Sequence, residues 1–377
     1  MEPRRRVVIA QEYVATYRVP FFHELKRLLA PHNVDVVVAA GAPSRRFRDR
    51  NDADTSAIDV TLAQREFSVF GRRVVFRRLG GLRRDADLLI VEQARRNVDV
   101  YWTALRRDMA LWGLGSNAAA DAGWLRRALL RWLTRRARWF FAYTPSAAAA
   151  ATAMGLDPRR ITVVYNSTDV TPLLRECAAI TPDLITQLRH EVGVGGTTAL
   201  FVGALEPNKR IEFLLDVARE AARIDPSFRL VMVGEGSLEA TVRAYPGHNV
   251  VLLPRATGPD LARLAATARV LTMPGNVGLV AVDALVLGLP TVTTDWPGHG
   301  PERAYLDETT SVTAPNDARG FAEALIALLH DEPRLETMSA ACKAAASEFG
   351  IDRMAEHFAE GVLAALADGQ HGQSRPR

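Results

Sequence analysis

Cysteine is nearly absent from this chain of 377 residues: Cys177 and Cys342 stand alone and far apart, which excludes a disulfide framework and a cysteine-built zinc site. A reducing, cytoplasmic setting is therefore expected. Long apolar runs are also missing, so nothing approaches the roughly 20 residues of a membrane-spanning helix. At the N-terminus the run from Val7 to Ala10 is cut by Gln11 and Glu12, too short for the apolar segment of a signal peptide, and it reads as a first strand. Charge of one sign is not in excess: 47 Lys+Arg against 43 Asp+Glu leave +4, so no nucleic-acid partner is expected. No Gly-Lys-Ser/Thr follows any glycine loop, which excludes a P-loop.

What is present is the material of a folded protein, 48% apolar and 24% charged. A single hydrophobic core stops growing near about 250–300 residues, so the length predicts two domains. Short β-rich runs alternate with helical ones throughout, which predicts parallel strands joined by crossover helices. Strands are expected at 6–10, 34–39, 88–92, 109–112, 139–143 and 161–165, then at 199–203, 229–234, 249–252, 270–273 and 291–294. The expected organisation is an α/β domain over 1–170, a linker over 171–196, a second α/β domain over 197–348, a helix over 349–367 packing back on the first domain, and a disordered tail over 368–377. Pro172, Pro182 and Gly193 mark the linker. Thr144 is expected to cap a short helix that Pro145 opens and Gly155 ends.

In open α/β sheets ligands sit beyond the carboxyl ends of the strands, and the loops there hold unusual residues. Lys209 and Arg210 stand at the start of a helix, where two cations oppose the helix dipole unless an anionic ligand shares the position. Further on, MPGNVGLVAVDAL forms a strand, a glycine loop and a helix start. Gly275 and Gly278 permit close approach, and the N–H groups of Gly278, Leu279 and Val280 offer an anion cradle. Asp283 follows about one turn later. A solvated basic pair, a tight turn and a dipole-stabilising acid are the plain alternatives.

Together these units change the reading. The run from VGALEPNKRIEFLL through LVMVGEGSLEATV to MPGNVGLVAVDALVLGLPTVTTD resembles the nucleotide-sugar domain of GT-B glycosyltransferases of the retaining family 4 group. LWGLGSNA, FFAYTPSAAAAA and RITVVYNSTD resemble the acceptor-domain segments of that family. The resemblance implies two Rossmann-like, doubly wound domains facing a central cleft. It also implies transfer of a sugar from an NDP-sugar to an acceptor hydroxyl, with retention and with no metal or other cofactor. Lys209 is then the diphosphate-binding lysine, joined by Arg210, Gly278, Leu279 and Val280, and Asp283 is the ribose-binding acid that ends a Glu-x7-Glu motif. Three positions depart from the pattern: Gly275 replaces the first Glu of the motif, Ala204 the usual Arg and Leu114 the usual His. Donor-sugar recognition is expected to fall on Gly275, Asn276 and Val277, or on His299 and Glu302 in TTDWPGHGPE.

His299 is the candidate for proton transfer, histidine being the side chain most easily tuned near pH 7. Glu12, Tyr17, Arg18, Gln93 and Asn97 are expected on the acceptor side, where the partner is a glycan, a lipid or a small molecule. Between Trp124 and Arg138 an arginine-rich amphipathic helix is expected, with Arg127, Arg131, Arg135 and Arg138 on one side and Leu125, Leu129, Trp132 and Leu133 opposite. Such a helix suits peripheral contact with an anionic inner leaflet, or else a core-facing helix with a solvated arginine face. Two further readings stay open: a nucleotide-sugar epimerase or hydrolase, which needs no acceptor, and a degenerate subunit that binds the donor without turnover.

Overall fold

The structure is a computed structural model that describes residues 4–43, 52–69, 72–94, 96–106, 109–115 and 124–373. Residues 116–118 of LWGLGSNA and 374–377 of the expected tail lie outside them. The chain divides into two compact units, Met1–Asp169 with Ile351–Arg377, and Val170–Gly350.

In the first unit the strands are β1 (Arg5–Gln11), β2 (Val34–Ala40), β3 (Val60–Thr61), β4 (Gln64–Val69), β5 (Arg72–Arg77), β6 (Leu88–Glu92), β7 (Met109–Gly113), β8 (Ala137–Ala142) and β9 (Ile161–Val163). Its helices are α1 (Val19–Leu29), α2 (Leu82–Asp85), α3 (Val98–Arg106), α4 (Trp124–Arg135) and α5 (Pro145–Ala153). Seven strands form a parallel sheet in the order β3-β2-β1-β6-β7-β8-β9, and β4 and β5 form a separate antiparallel hairpin. The central strands are apolar on both faces, as parallel strands covered by helices on each side require. Thr144 caps α5, its hydroxyl accepting from the Ala147 amide at 3.2 Å.

The second unit opens with α6 (Thr171–Ala179) and α7 (Pro182–Val192), so residues 171–196 are not the linker that proline and glycine suggested. The same residues serve as helix punctuation: Pro172 and Pro182 fall in first turns, where no N–H is needed, and Gly193 closes α7 in the left-handed region at φ 75°. Then follow β10 (Thr198–Val202), α8 (Ile211–Ile224), β11 (Arg229–Val233), α9 (Glu239–Arg243), β12 (Val250–Leu253), α10 (Gly258–Ala265), β13 (Val270–Met273), α11 (Val280–Leu287), β14 (Thr291–Thr293), β15 (Ser311–Thr313), α12 (Ala318–His330) and α13 (Glu332–Ala345). The parallel sheet runs β12-β11-β10-β13-β14-β15, the Rossmann strand order.

The last helix, α14 (Ile351–Gln373), belongs to the first unit. Phe358 stacks on Phe141 at 4.2 Å between ring centroids and meets Phe21 and Trp112 edge-on. The helix runs six residues past the expected boundary at 367, and Asp368 pairs with Arg160 at 3.4 Å, so residues 368–373 are helical rather than disordered.

Candidate functional site

Strand order reverses between β10 and β13 in the second unit and between β1 and β6 in the first, and ligands bind at such reversals. In the second unit the β10 loop enters a 3-10 turn, Pro207–Lys209, before α8. Lys209 reaches back so that its ammonium donates to the Asn276 carbonyl at 2.5 Å, crossing from the β10 loop to the β13 loop. Burial pushes the Lys209 ammonium down to about 8, with the Glu302 carboxylate opposing.

The β13 loop leads into α11, which has no side-chain cap. Its first backbone bonds run from Ala281 to Gly278 and from Val282 to Leu279, at 3.0 and 2.9 Å. Among the described residues the amides of Gly278, Leu279 and Val280 therefore have no acceptor. Lys209 is tied to Asn276, two residues before the first of them, and free amides at a helix start suit an anion. Asp283, one turn into α11, has no hydrogen-bond or charge partner among the described residues, and burial pushes its carboxyl up to about 7. An unpartnered acid in a desolvated place is one that hydroxyl donors would restore to the ionised state.

Arg210 is placed differently from Lys209. Its backbone is left-handed, φ 56°, a conformation that costs a non-glycine residue about 1 kcal/mol. Its guanidinium lies 3.9 Å over the Phe213 ring and donates to Asn316 at 2.6 Å and to the Pro274 carbonyl at 3.2 Å. It ties three loops together through one guanidinium nitrogen.

The remaining loop residues are committed internally. A Cβ on Gly275 would lie 2.5 Å from the Lys209 carbonyl oxygen, so position 275 has no room for any side chain. The Asn276 amide donates to the Asn208 carbonyl at 2.9 Å, and its side chain donates to the Gly298 carbonyl at the same distance. His299 faces backbone at both nitrogens, with Nε2 2.9 Å from the Thr294 carbonyl and Nδ1 3.2 Å from the Val277 amide, which donates to it. Burial lowers its pKa. The ring thus clamps the β13 and β14 loops together. Recognition of a sugar through the amides of Asn276 and Val277 is removed by the same bonds. Glu302 is 5% exposed, on the 3-10 turn Pro301–Tyr305.

In the first unit Glu12 follows β1, and its amide donates to Glu92 at 2.9 Å. Its carboxylate pairs with Arg73, which also holds Glu66 at 2.9 Å. Arg77, 1% exposed, donates to Asp99 at 2.9 Å and to the Ala10 carbonyl at 3.1 Å. This buried network at the end of β5 was not expected from sequence, where residues 72–77 read as an arginine-flanked apolar run without alternation. Burial raises the Glu92 pKa against the charge of Arg77. Asn97 is fully buried with neither side-chain amide atom hydrogen-bonded, and Glu12 is held in the network by Arg73. Arg18 donates to the hydroxyls of Tyr17 at 3.0 Å and Tyr143 at 2.6 Å and lies 4.4 Å over the Trp112 ring. Gln93 sits at the reversal point with a buried, unpartnered Nε2.

The amphipathic helix forms as α4 but ends at Arg135, and Arg138 belongs to β8, where it donates to the Ala365 carbonyl at 2.6 Å. Arg127, Arg131 and Arg135 are exposed, Leu130 and Leu133 are buried, and Trp124 is 75% exposed. Leu129, expected on the buried side, is exposed, and the side chain of Leu125 lies outside the described residues. No described helix is long and apolar enough to cross a membrane.

Residues 196–331 match the family model of Glycosyl transferases group 1. The chain is 28% identical over 228 residues to a D-inositol 3-phosphate glycosyltransferase of Segniliparus rotundus, a match covering 56% of this chain and 49% of that protein. A glycogen synthase of Mycobacterium tuberculosis is 26% identical over 280 residues, 70% of this chain and 63% of the relative. The chain spans about half the length of the curated relatives it matches first. Anabaena HepE, solved in complex with UDP, has the same fold, with a TM-score of 0.66 at 17% identity over 96% of this chain and 100% of that one. The fold is GT-B.

Proposed function

We propose that this chain is a glycosyltransferase of the family 4 type that moves a sugar from an NDP-sugar to a hydroxyl of a glycan, lipid-linked or small-molecule acceptor, with retention and without a metal. The observation that carries the reading is the pairing of Lys209 with three unpartnered amides at the start of α11, a turn before the unpartnered acid Asp283. A diphosphate fits the first group and a ribose diol the second. The name of the Segniliparus rotundus relative and the UDP in HepE support the same reading.

In the proposed reaction the bond from the anomeric carbon to the diphosphate oxygen breaks, and its electron pair leaves with the diphosphate. The acceptor oxygen attacks from the same face, and its proton passes to a donor phosphate oxygen. Lys209 and the α11 amides stabilise the charge that develops on the leaving group, so the protein supplies no nucleophile. His299, held by backbone at both nitrogens, offers an epimerase no free acid or base. Tyr17, Arg18 and Gln93 are assigned to the acceptor. The proposed setting is cytoplasmic, with α4 resting on an anionic leaflet through Arg127, Arg131, Arg135 and the exposed Trp124.

A thermal-shift screen against UDP, GDP and dTDP and their sugars tests the reading, because a bound donor stabilises the fold in proportion to its affinity. Lys209→Ala should weaken the nucleotide found by about 100-fold, the scale of a buried charged contact. No shift with any of these nucleotides, or unchanged calorimetric affinity in the variant, would sink it. Products formed only when an acceptor is present separate transfer from epimerisation.

A further inference from the structure

The amides assigned to the donor open α11, and the other end of the same helix lines a second concavity. The last residues of α11 and the turn that follows, Val286–Leu289, border a pocket of about 530 Å³ together with residues of α6, α7, α10 and α13. Every residue of the lining belongs to the second unit. The volume lies within the roughly 300–1,000 Å³ of small-molecule sites. Part of the wall is apolar: Ala265, Leu289 and Leu335 are buried, and Ile180 and Ile185 are half-buried.

Three cations line this pocket, Arg189, Arg269 and Lys343, against one acid, the exposed Glu336. Arg269 is answered by Glu332, outside the lining, whose two carboxylate oxygens accept from Nη1 and Nη2 at 2.6 Å each. Arg189 is not answered. It is half-buried, its Nε donates to the Thr267 carbonyl at 3.3 Å, and among the described residues Nη1 and Nη2 have no acceptor. Burial and the charge of Arg269 both push its pKa down, and no carboxylate opposes them. Lys343 likewise has no acid partner among the described residues. Its stem crosses the end of α11, with Cε 2.5 Å from the point where a side chain at Gly288 would begin, and its charge reaches the Cys177 thiol of α6.

We infer that this pocket is a second ligand site, separate from the donor cradle, for a small aliphatic anion whose charged head pairs with Arg189 and whose chain lies on the apolar wall. An inorganic anion would use the cations and leave the wall wet, and an uncharged apolar molecule would leave Arg189 uncompensated as it displaced water. The plain alternative is a groove whose arginine is satisfied by solvent. The inference is independent of the donor reading.

Cys177 reports occupancy. It is half-buried and lines the pocket, whereas Cys342 is fully buried, so a thiol reagent reaches Cys177 first in the folded protein. The test measures calorimetric Kd for octanoate and octyl phosphate, with 1-octanol and inorganic phosphate as the separate halves, and the rate at which N-ethylmaleimide labels Cys177. Either aliphatic anion at ten times its Kd should slow labelling about tenfold, since only the empty pocket reacts. Arg189→Gln should weaken both anions about 10–100-fold, the range of a charge-assisted contact, while Arg319→Gln on α12, outside the lining, changes neither. No binding of either anion, equal protection by 1-octanol or by inorganic phosphate, or unchanged affinity in Arg189→Gln would overturn the inference. Should Arg189→Gln fail to fold, the comparison of octanoate with 1-octanol on the wild-type protein decides the same point.

Discussion

Asp283 makes opposite demands on stability and on binding, and both can be measured. Raising its pKa from 3.8 to about 7 by burial corresponds to about 4 kcal/mol that the native state gives up once the group is ionised. Below about pH 4 both states are protonated and the cost vanishes. Between 4 and 7 the unfolded chain loses its proton first, so native stability falls with rising pH and levels off above 7. Asp283→Asn removes this cost but leaves a half-buried amide without a partner, worth about 1–3 kcal/mol, for a net gain of about 1–3 kcal/mol at pH 8 and a net loss of about 1–3 kcal/mol below pH 4. Denaturant unfolding at pH 3.5, 6 and 8 reads it directly. Binding should move the other way, with the NDP Kd rising about 10–100-fold, because the carboxylate that accepts from the ribose is gone. The wild-type affinity should climb towards pH 7 as Asp283 ionises and decline above about 8 as Lys209 loses its proton. The variant should keep only the alkaline limb. A variant no more stable than wild type at pH 8, or one with an unchanged pH profile of binding, would refute the argument.

Other consequences are simpler. His299→Gln should destabilise the protein by about 1–2 kcal/mol through the lost link between Thr294 and Val277, while the kcat pH profile keeps its shape; a missing ionisation in that profile would restore the proton-transfer role. Arg77→Ala leaves Asp99 buried without its cation and should cost about 3–5 kcal/mol in denaturant melts, against which a loss under 1 kcal/mol would count. Replacing Arg127, Arg131 and Arg135 with glutamine should reduce co-sedimentation with anionic liposomes, at about 1 kcal/mol per arginine, and high salt should do the same to wild type. Absence of wild-type binding at low salt would end the membrane proposal.

Much of the second unit was legible because its signals are local. Apolar β-branched runs mark β10, β11 and β13, and the glycines that follow two of them lie where a parallel strand must turn. Lys209 and the amides of α11 could be named from position alone, since helix starts always leave free N–H groups. The linker failed for the opposite reason. A proline is the same letter in a loop as in the first turn of a helix, and only the capping geometry at Thr181 separates the two. The β4–β5 hairpin and the Arg77 network were missed because arginine in a short run reads as surface until a buried carboxylate is found opposite it.

Periodicity and punctuation determined the two α/β units and most strands of the two parallel sheets, β3 and β15 being too short to read, since each depends on residues within a few positions of one another. The tertiary structure decided the rest. Lys209 finds Asn276 across 67 residues, and the backbone of Asn208 and Lys209 closes the space at Gly275. His299 and Arg210, which stand out as isolated polar residues in one dimension, tie loops together in three. Which polar atoms remain free for a ligand depends on how many the fold itself has used, and that is settled only when distant segments pack.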